Sequence, residues 1–288
     1  MRLLIVNADD FGYTTDVNEG IIEAHTRGIL TAATLMANGD AFADAVRLAR
    51  AHPDLDLGCH LVLVGGASLL SGRAYPRSVA QLLGELAAGR WDVTAEFRAQ
   101  IERTLAAGIQ PTHLDTHKHT HLFPAVLEPV ARLAAEYRIP WVRRPFDLPL
   151  ARATVSSMRR WVTSALGLLR PRFHQILEKH HCRVTDHFAG FGWTGSYRLE
   201  DFTWLAANLP LGLTEFMTHP GFCREPLQRA PTRLKQTREA ELQVLVDPEA
   251  RAALRREGIT LTNYRRLLFR HPDEEGRTGT GGAVGNRH

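Results

Sequence analysis

"RLLIVNADDF", residues 2–11, is a run of leucine, isoleucine and valine that closes on an asparagine and two adjacent acids. A short apolar run bounded by charge reads as a strand buried on both faces, the kind a parallel sheet requires. The next segments keep that period. "TTDVNEGIIEAHTRGIL" (14–30) has helical spacing, with Val17, Ile21, Ile22 and His25 on one face. "TAATLMANG" (31–39) reads as a second strand. "FADAVRLARAHPD" (42–54) reads as a helix through Phe42, Ala45, Val46 and Ala49, and "LDLGCHLVLV" (55–64) as a third strand. Residues 66–92 look looser. "VTAEFRAQIERTLAAG" (93–108) is an amphipathic helix, "PTHLDTH" (111–117) is strand-like, and "PAVLEPVARLAAEY" (124–137) is a helix entered through Pro124. "IPWVRRPFD" (139–147) and "LTEFMTHPGF" (213–222) are further strands. Strands that alternate with helices predict βαβ units and a parallel sheet or barrel. One domain over 1–270 is expected, with a polar, Gly-rich tail over 271–288 that lacks the apolar residues to fold.

The chain has 288 residues, 44% hydrophobic and 23% charged, an ordinary balance for a soluble globular protein. No window reaches the ~18 apolar residues of a spanning helix, and the N-terminus reads as a strand, not a secretion signal. Cys59, Cys182 and Cys223 are odd in number and far apart, so neither a disulfide framework nor a thiolate metal site is indicated. A reducing, cytoplasmic setting is the expectation. The net charge of +4 is local: residues 151–183 hold seven Lys/Arg against Glu178, which is +6, and the remainder sums to −2. A nucleic-acid binder would spread its basic charge and interleave aromatic platforms.

Asp9/Asp10, His60, the histidine cluster of "THLDTHKHTH" (112–121) and His219 all fall at or just past predicted strand ends. In parallel α/β architectures that end of the sheet carries the chemistry. Adjacent strand residues face opposite ways, so Asp9 and Asp10 share a site only if the chain turns there; otherwise Asp10 caps the next helix. His60 alone reads as a buried, hydrogen-bonded histidine. His113, Asp115, His117, His119 and His121 would share one face of an extended strand, but its ends would lie roughly 26 Å apart, too far for one ion. A turn near Thr116 would instead make His117 and His121 neighbours on a helix, and a solvated His-rich loop is the third possibility. One carboxylate with imidazoles and no thiolate suits a single divalent ion (zinc or magnesium, with manganese or cobalt possible) that keeps open water positions. A spare Asp as base and His219 as acid complete a hydrolase constellation.

"LLIVNADDFG", "GCHLVL", "PTHLDTHKHTHLFP" and "MTHPGF" resemble, in order, the YdjC-like carbohydrate deacetylases, relatives of the NodB-type polysaccharide deacetylases. The resemblance runs from residue 1 to about 265. It implies a distorted (β/α) barrel, a metal held by Asp10, His60 and His117, Asp9 as base and His219 as acid. It also implies an N-acetylated amino-sugar substrate. "WVRRPFD", "TDHFAGFGWTG" (185–195) and "TREAELQVL" (237–245) are similar to a hopanoid-biosynthesis-associated branch, which implies a lipid-linked N-acetylglucosaminyl substrate. "TDHFAGFGWTG" also reads simply as a Gly-rich turn. Arg143, Arg144, His119 and His121 are candidate substrate contacts; the two arginines also read as carboxylate partners or surface charges. A soluble chitin-type disaccharide is the alternative substrate. A non-catalytic metal- or lipid-binding protein is the alternative class, which Asp9 argues against because a pure binder needs no base.

Within the basic insert at about 150–183, Val155, Met158, Val162, Ala165, Leu166 and Leu169 recur at helical spacing, with Arg159 and Arg160 off the stripe. Pro171 ends that helix, and a second offers Phe173, Ile176 and Leu177. Such a helix packs on the barrel or lies on an anionic membrane surface as a peripheral contact.

Overall fold

The computed structural model describes residues 1–148 and 167–268. The stripe from Val155 to Leu166, with Arg159 and Arg160, and the tail over 271–288 lie outside the described residues.

Among the described residues eight strands form one parallel sheet: β1 (Arg2–Phe11), β2 (Ala32–Leu35), β3 (Asp56–Leu61), β4 (His113–Thr116), β5 (Trp141–Val142), β6 (His187–Ala189), β7 (Gly212–Thr218) and β8 (Ile259–Leu261). The order β5-β4-β3-β2-β1-β7-β6 is the chain order wrapped around a ring. Its two ends meet through isolated parallel bridges, Trp141 with Arg183 and Asp147 with Phe188. This is the expected distorted (β/α) barrel, closed by irregular backbone where a regular strand pair would stand. β5 is short because Pro140 and Pro145 flank it and neither has an N–H to donate. β1 is the longest strand and has β7 along one edge. Its other edge is shared, with β8 opposite Arg2–Leu4 and β2 opposite Asn7–Phe11.

Helices α1 (Thr15–Thr26), α2 (Phe42–Ala51), α3 (Val79–Ala87), α4 (Val93–Ala106), α5 (Pro124–Glu136) and α6 (Arg170–Lys179) surround one part of the ring. The others are α7 (Leu199–Ala207), α8 (Glu225–Arg229), α9 (Gln236–Val246), α10 (Pro248–Arg256) and α11 (Tyr264–Leu268). Residues 66–92, read as loose, contain α3, whose first turn is capped by the Ser78 hydroxyl accepting from Gln81 N–H at 3.2 Å. α6 begins beside Pro171 and buries Phe173, Ile176 and Leu177 as expected.

Alternation along β1 sorts the molecule. Leu4, Val6 and Ala8 pack outward into the core under the helices. Ile5 points inward, into a plug with Ala32, Trp141, Leu213 and Tyr264. Above it the interior turns polar: the Asn7 carboxamide oxygen lies 3.1 Å from His113 Nε2, and Tyr264 stacks on the His113 ring at 4.0 Å. Gly58 on β3 makes room for that ring. A Cβ there would lie 2.5 Å from the His113 carbonyl and 2.6 Å from its ring atoms. Gly58→Ala should therefore cost about 1–3 kcal/mol, outweighing any strand gain, and urea denaturation should show a lowered midpoint. An unchanged midpoint would mean that β3 and β4 can part without cost.

Candidate active site

At the upper end of the barrel, five strands deliver polar side chains to one place. β1 pairs Ala8 with Ala33 and Phe11 with Leu35, so it carries one more residue than β2 over that interval. This bulge is where Asp9 and Asp10 sit, and Asp10 has φ +67°, a left-handed conformation unusual for a residue with a side chain. The irregularity gives both adjacent acids access to one cavity. Asp10 caps no helix; α1 starts after Thr14, and the Asp10 carbonyl accepts the Tyr13 N–H at 3.0 Å.

β4 ends at Thr116 and the chain turns at once, with Lys118 and His119 both left-handed (φ +55° and +51°). That turn separates the histidines of the cluster. His117 stays at the rim. His119 lines the cavity and meets the Phe191 ring at 5.0 Å. His121 folds back underneath and is fully buried, its Nε2–H donating to the Arg143 carbonyl at 3.1 Å. Its expected substrate contact is corrected accordingly: no part of His121 borders the cavity. His113 lies lower still, in the barrel interior.

Asp10 Oδ1, His60 Nε2 and His117 Nδ1 converge. Their separations are 3.4 Å (His60–Asp10), 3.1 Å (His117–Asp10) and 3.2 Å (His60–His117). Donors held at the usual 2.0–2.2 Å from one ion lie about 3.0–3.5 Å apart in octahedral or tetrahedral geometry, so these three atoms fit a single divalent cation. Two further observations agree. Asp10 Oδ1 is buried without a well-formed hydrogen bond. His60 Nδ1 donates to Asp115 Oδ1 at 2.8 Å, which orients the ring and aims Nε2 at the cluster. Burial alone would lower the His60 pKa, but Asp115 and Asp10 raise it to about 10, so the position attracts positive charge strongly. Burial likewise opposes ionisation of Asp10, yet Arg238 and His117 hold its carboxyl well below the usual carboxylate range. Asp9, His60 and Asp115 form a second cluster of candidate ligands. There the Arg143 guanidinium already bridges the two carboxylates and serves as the cation.

Asp9 is gripped by Arg143 through two hydrogen bonds, Nη1 to Oδ2 at 2.8 Å and Nη2 to Oδ1 at 2.7 Å. Against the effect of burial, Arg143 and His60 keep Asp9 below the ordinary carboxylate range, hence ionised. Across from it stands His219, Nε2 3.9 Å from Asp9 Oδ2. Burial pushes the His219 pKa down to about 4, so the ring is neutral with a free nitrogen near neutral pH. Its backbone N–H donates to Glu241 Oε2 at 2.6 Å.

The expected substrate contact of Arg143 is also corrected. The structure places this arginine behind the site, 1% exposed, holding Asp9, Asp115 and Glu215 at once. Of the alternatives open to it, carboxylate partners are the one realised. Arg144 is half-buried and does not border the cavity either. Two site members escape the sequence reading. Arg238 and Glu241, inside "TREAELQVL", lie one turn apart on α9 and are each 1% exposed. Charges at i, i+3 beside the buried Leu242 and Leu245 break the amphipathic pattern of a surface helix, which is the available signal.

The residues open into a cavity of about 980 Å³, walled by Tyr13, Met36, Val64, Phe191 and Leu234 among others and rimmed by Lys118 and Arg233. The family described as YdjC-like protein matches residues 3–256. The chain belongs to the YdjC-like family. Among curated relatives, a protein of Geobacillus stearothermophilus named carbohydrate deacetylase is 35% identical over 92% of this chain and 97% of its own length. One of the same name from Vibrio parahaemolyticus is 31% identical over 92% and 96%. A solved Enterococcus faecalis structure, named for cellobiose-phosphate cleavage, superposes with a TM-score of 0.74 at 26% identity, covering 92% of this chain and 98% of that one. Within this YdjC-like chain, removing Arg143 should unfold more than it disarms. Arg143→Met leaves three buried carboxylates without a cation, a loss on the order of 3–5 kcal/mol. Chemical denaturation should show it, whereas an arginine serving only substrate would change stability by about 0.5 kcal/mol or less.

Proposed function

We propose that this chain is a metal-dependent carbohydrate N-deacetylase, hydrolysing the N-acetyl group of an N-acetylglucosaminyl substrate. The observation that carries the reading is the convergence of Asp10, His60 and His117 on one ion-sized position, with an ionised Asp9 and a neutral His219 beside it in a sugar-sized cavity. A divalent ion held by those three residues supplies Lewis acidity toward water and an acyl oxygen. Asp9, fixed by Arg143, accepts a proton from the attacking water as the water oxygen bonds to the acyl carbon. The carbonyl electron pair moves to the acyl oxygen. His219 is close enough to Asp9 to take that proton on Nε2 and deliver it to the nitrogen as the C–N bond breaks. The net result is one water consumed, one amine formed and acetate released. A depressed carboxylate is a weak base, so Asp9 depends on that Lewis acidity to make the water acidic enough.

We further propose that the sugar is lipid-linked, an N-acetylglucosaminyl hopanoid. The support is the resemblance of residues 185–195 and 237–245, the basic segment 151–183 and the apolar share of the cavity wall. Among the described residues no helix is long and apolar enough to cross a membrane. Acetate release from lipid-linked N-acetylglucosamine and from free diacetylchitobiose, assayed in parallel, separates this substrate from a soluble one. Release from the free sugar alone would overturn the lipid assignment.

Two sets of variants test the machinery. His60→Ala and His117→Ala should each lose bound metal by elemental analysis, and full occupancy in both would overturn the ligand set. Asp9→Asn should retain metal yet release acetate about 10²–10⁴-fold more slowly; near-normal turnover would place the base elsewhere.

A further inference from the structure

Arg238 is 1% exposed and borders the cavity. One donor, Nη2, binds Asp10 Oδ2 at 2.5 Å. The other two nitrogens, Nε and Nη1, are buried and find no acceptor among the described residues. Buried donors are almost always paired in folded proteins, so a guanidinium left half-bare beside a cavity calls for a visiting acceptor. The neighbouring acids cannot provide one. Glu241 accepts the N–H groups of Gly195 and His219. Asp9 is taken by Arg143. Asp16 accepts the N–H groups of Val17, Arg224 and Leu227. The room for the arginine stem is also built in: Gly221 lies against it, and a Cβ there would come within 3.3 Å of Arg238 Cδ.

The position identifies the acceptor. Asp10 turns one oxygen to Arg238 and the other to His60 and His117, so the guanidinium flanks the ligand cluster across a single carboxylate. We propose that Arg238 is a catalytic residue of the reaction proposed above, its free N–H edge donating to the acyl oxygen of the N-acetyl group. This rests on the deacetylase reading and adds a second positive group at the reacting centre. When water bonds to the acyl carbon, the π pair of the carbonyl becomes a charge on that oxygen, and Arg238 turns toward it N–H groups for which no protein acceptor competes among the described residues. When the intermediate collapses, the pair returns, the C–N bond breaks toward nitrogen, and the proton held by His219 completes the amine. The contact strengthens as charge develops, so it acts on turnover more than on binding.

The test compares wild type with Arg238→Lys, Arg238→Met and Arg238→Ala, all loaded with Mn²⁺, on whichever N-acetylglucosaminyl substrate the wild type hydrolyses. Arg238→Met should lower kcat about 10²–10³-fold with KM changed only a few-fold. Arg238→Lys should retain part of the rate, and added guanidinium should rescue Arg238→Ala. Two calorimetric titrations run beside it. Mn²⁺ affinity should stay within about tenfold of wild type, and acetate, which carries the former acyl oxygen, should bind the Met variant more weakly by at least about tenfold. A rate that returns in full at saturating Mn²⁺ would make Arg238 only a support for Asp10 and overturn the proposal, as would a loss confined to KM. A wild type that neither hydrolyses the substrates nor binds acetate would overturn the deacetylase reading itself. An active wild type matched in rate and acetate affinity by Arg238→Met would overturn the Arg238 role alone.

Discussion

One buried guanidinium sets the terms for the barrel interior. Arg143 contacts Asp9, Asp115 and Glu215, one carboxylate from each of three strands, and all four side chains are essentially unexposed. Removing four charges from water is costly, and the cost is offset only where geometry pairs every oxygen. Here it is nearly met: five of the six carboxylate oxygens are hydrogen-bonded or ion-paired, and Glu215 Oε2 lacks a well-formed bond although the Tyr264 hydroxyl interacts with the same carboxylate. Burial raises the Glu215 pKa against the pull of Arg143, which fits the most deeply placed member of the set. Replacing this network with hydrocarbon would make an ordinary barrel core. It would also remove the means by which Asp9 stays ionised and Asp115 stays aimed at His60.

Four of the functional residues are thus held from behind by another group. Asp9 is held by Arg143, His60 by Asp115, Asp10 by Arg238, and the His219 backbone by Glu241. Asp10, with one oxygen occupied by Arg238, presents the other in a fixed direction; Asp9 is held through both oxygens, and an imidazole that donates Nδ1–H presents Nε2. Asp10 shows the cost of this precision. Its left-handed backbone is an unfavourable choice for aspartate, which a bulge in the longest strand enforces. Strain of that kind persists where the surrounding structure over-determines it.

Much of this is written in local pattern. The apolar run before Asp9, the helix–strand alternation and the placement of polar residues at strand ends follow from period-2 and period-3.6 spacing, and they suffice for a parallel barrel with its site at one end. Asp9, Asp10, His60 and His219 are legible as residues at strand ends, but the choice of His117 from its cluster, and the role of each residue, come only from the resemblance to the YdjC-like family. Arg143 and His121 are misplaced because sequence gives the strand end but not the depth: "VRRP" puts two arginines at the top of β5, and only closure of the ring decides that the first turns inward. The histidine cluster fails in the same way. Whether His119 or His121 faces the cavity depends on two left-handed residues, Lys118 and His119, that carry no glycine to announce them. α3 escapes notice because residues 66–92 reveal its cap, Ser78, only once the following turn is known to be helical.

The remaining asymmetry lies between the two arginines. Arg143 is saturated, every nitrogen engaged with a carboxylate. Arg238 is equally buried, lies 5.9 Å from the Tyr13 ring, and has a single side-chain hydrogen-bond partner among the described residues. Both come from outside the four motifs that identify the family at sequence level, one from the closing segment of the ring and one from a helix packed against α1. The two positions differ in what lies beyond them: Arg143 faces the barrel interior, where acceptors are supplied by strands, whereas Arg238 faces the cavity, where they are not. A fold that pairs every nitrogen of one buried cation, and leaves two nitrogens of another without an acceptor on a side chain that borders the cavity, gives the second cation a capacity that the first has spent.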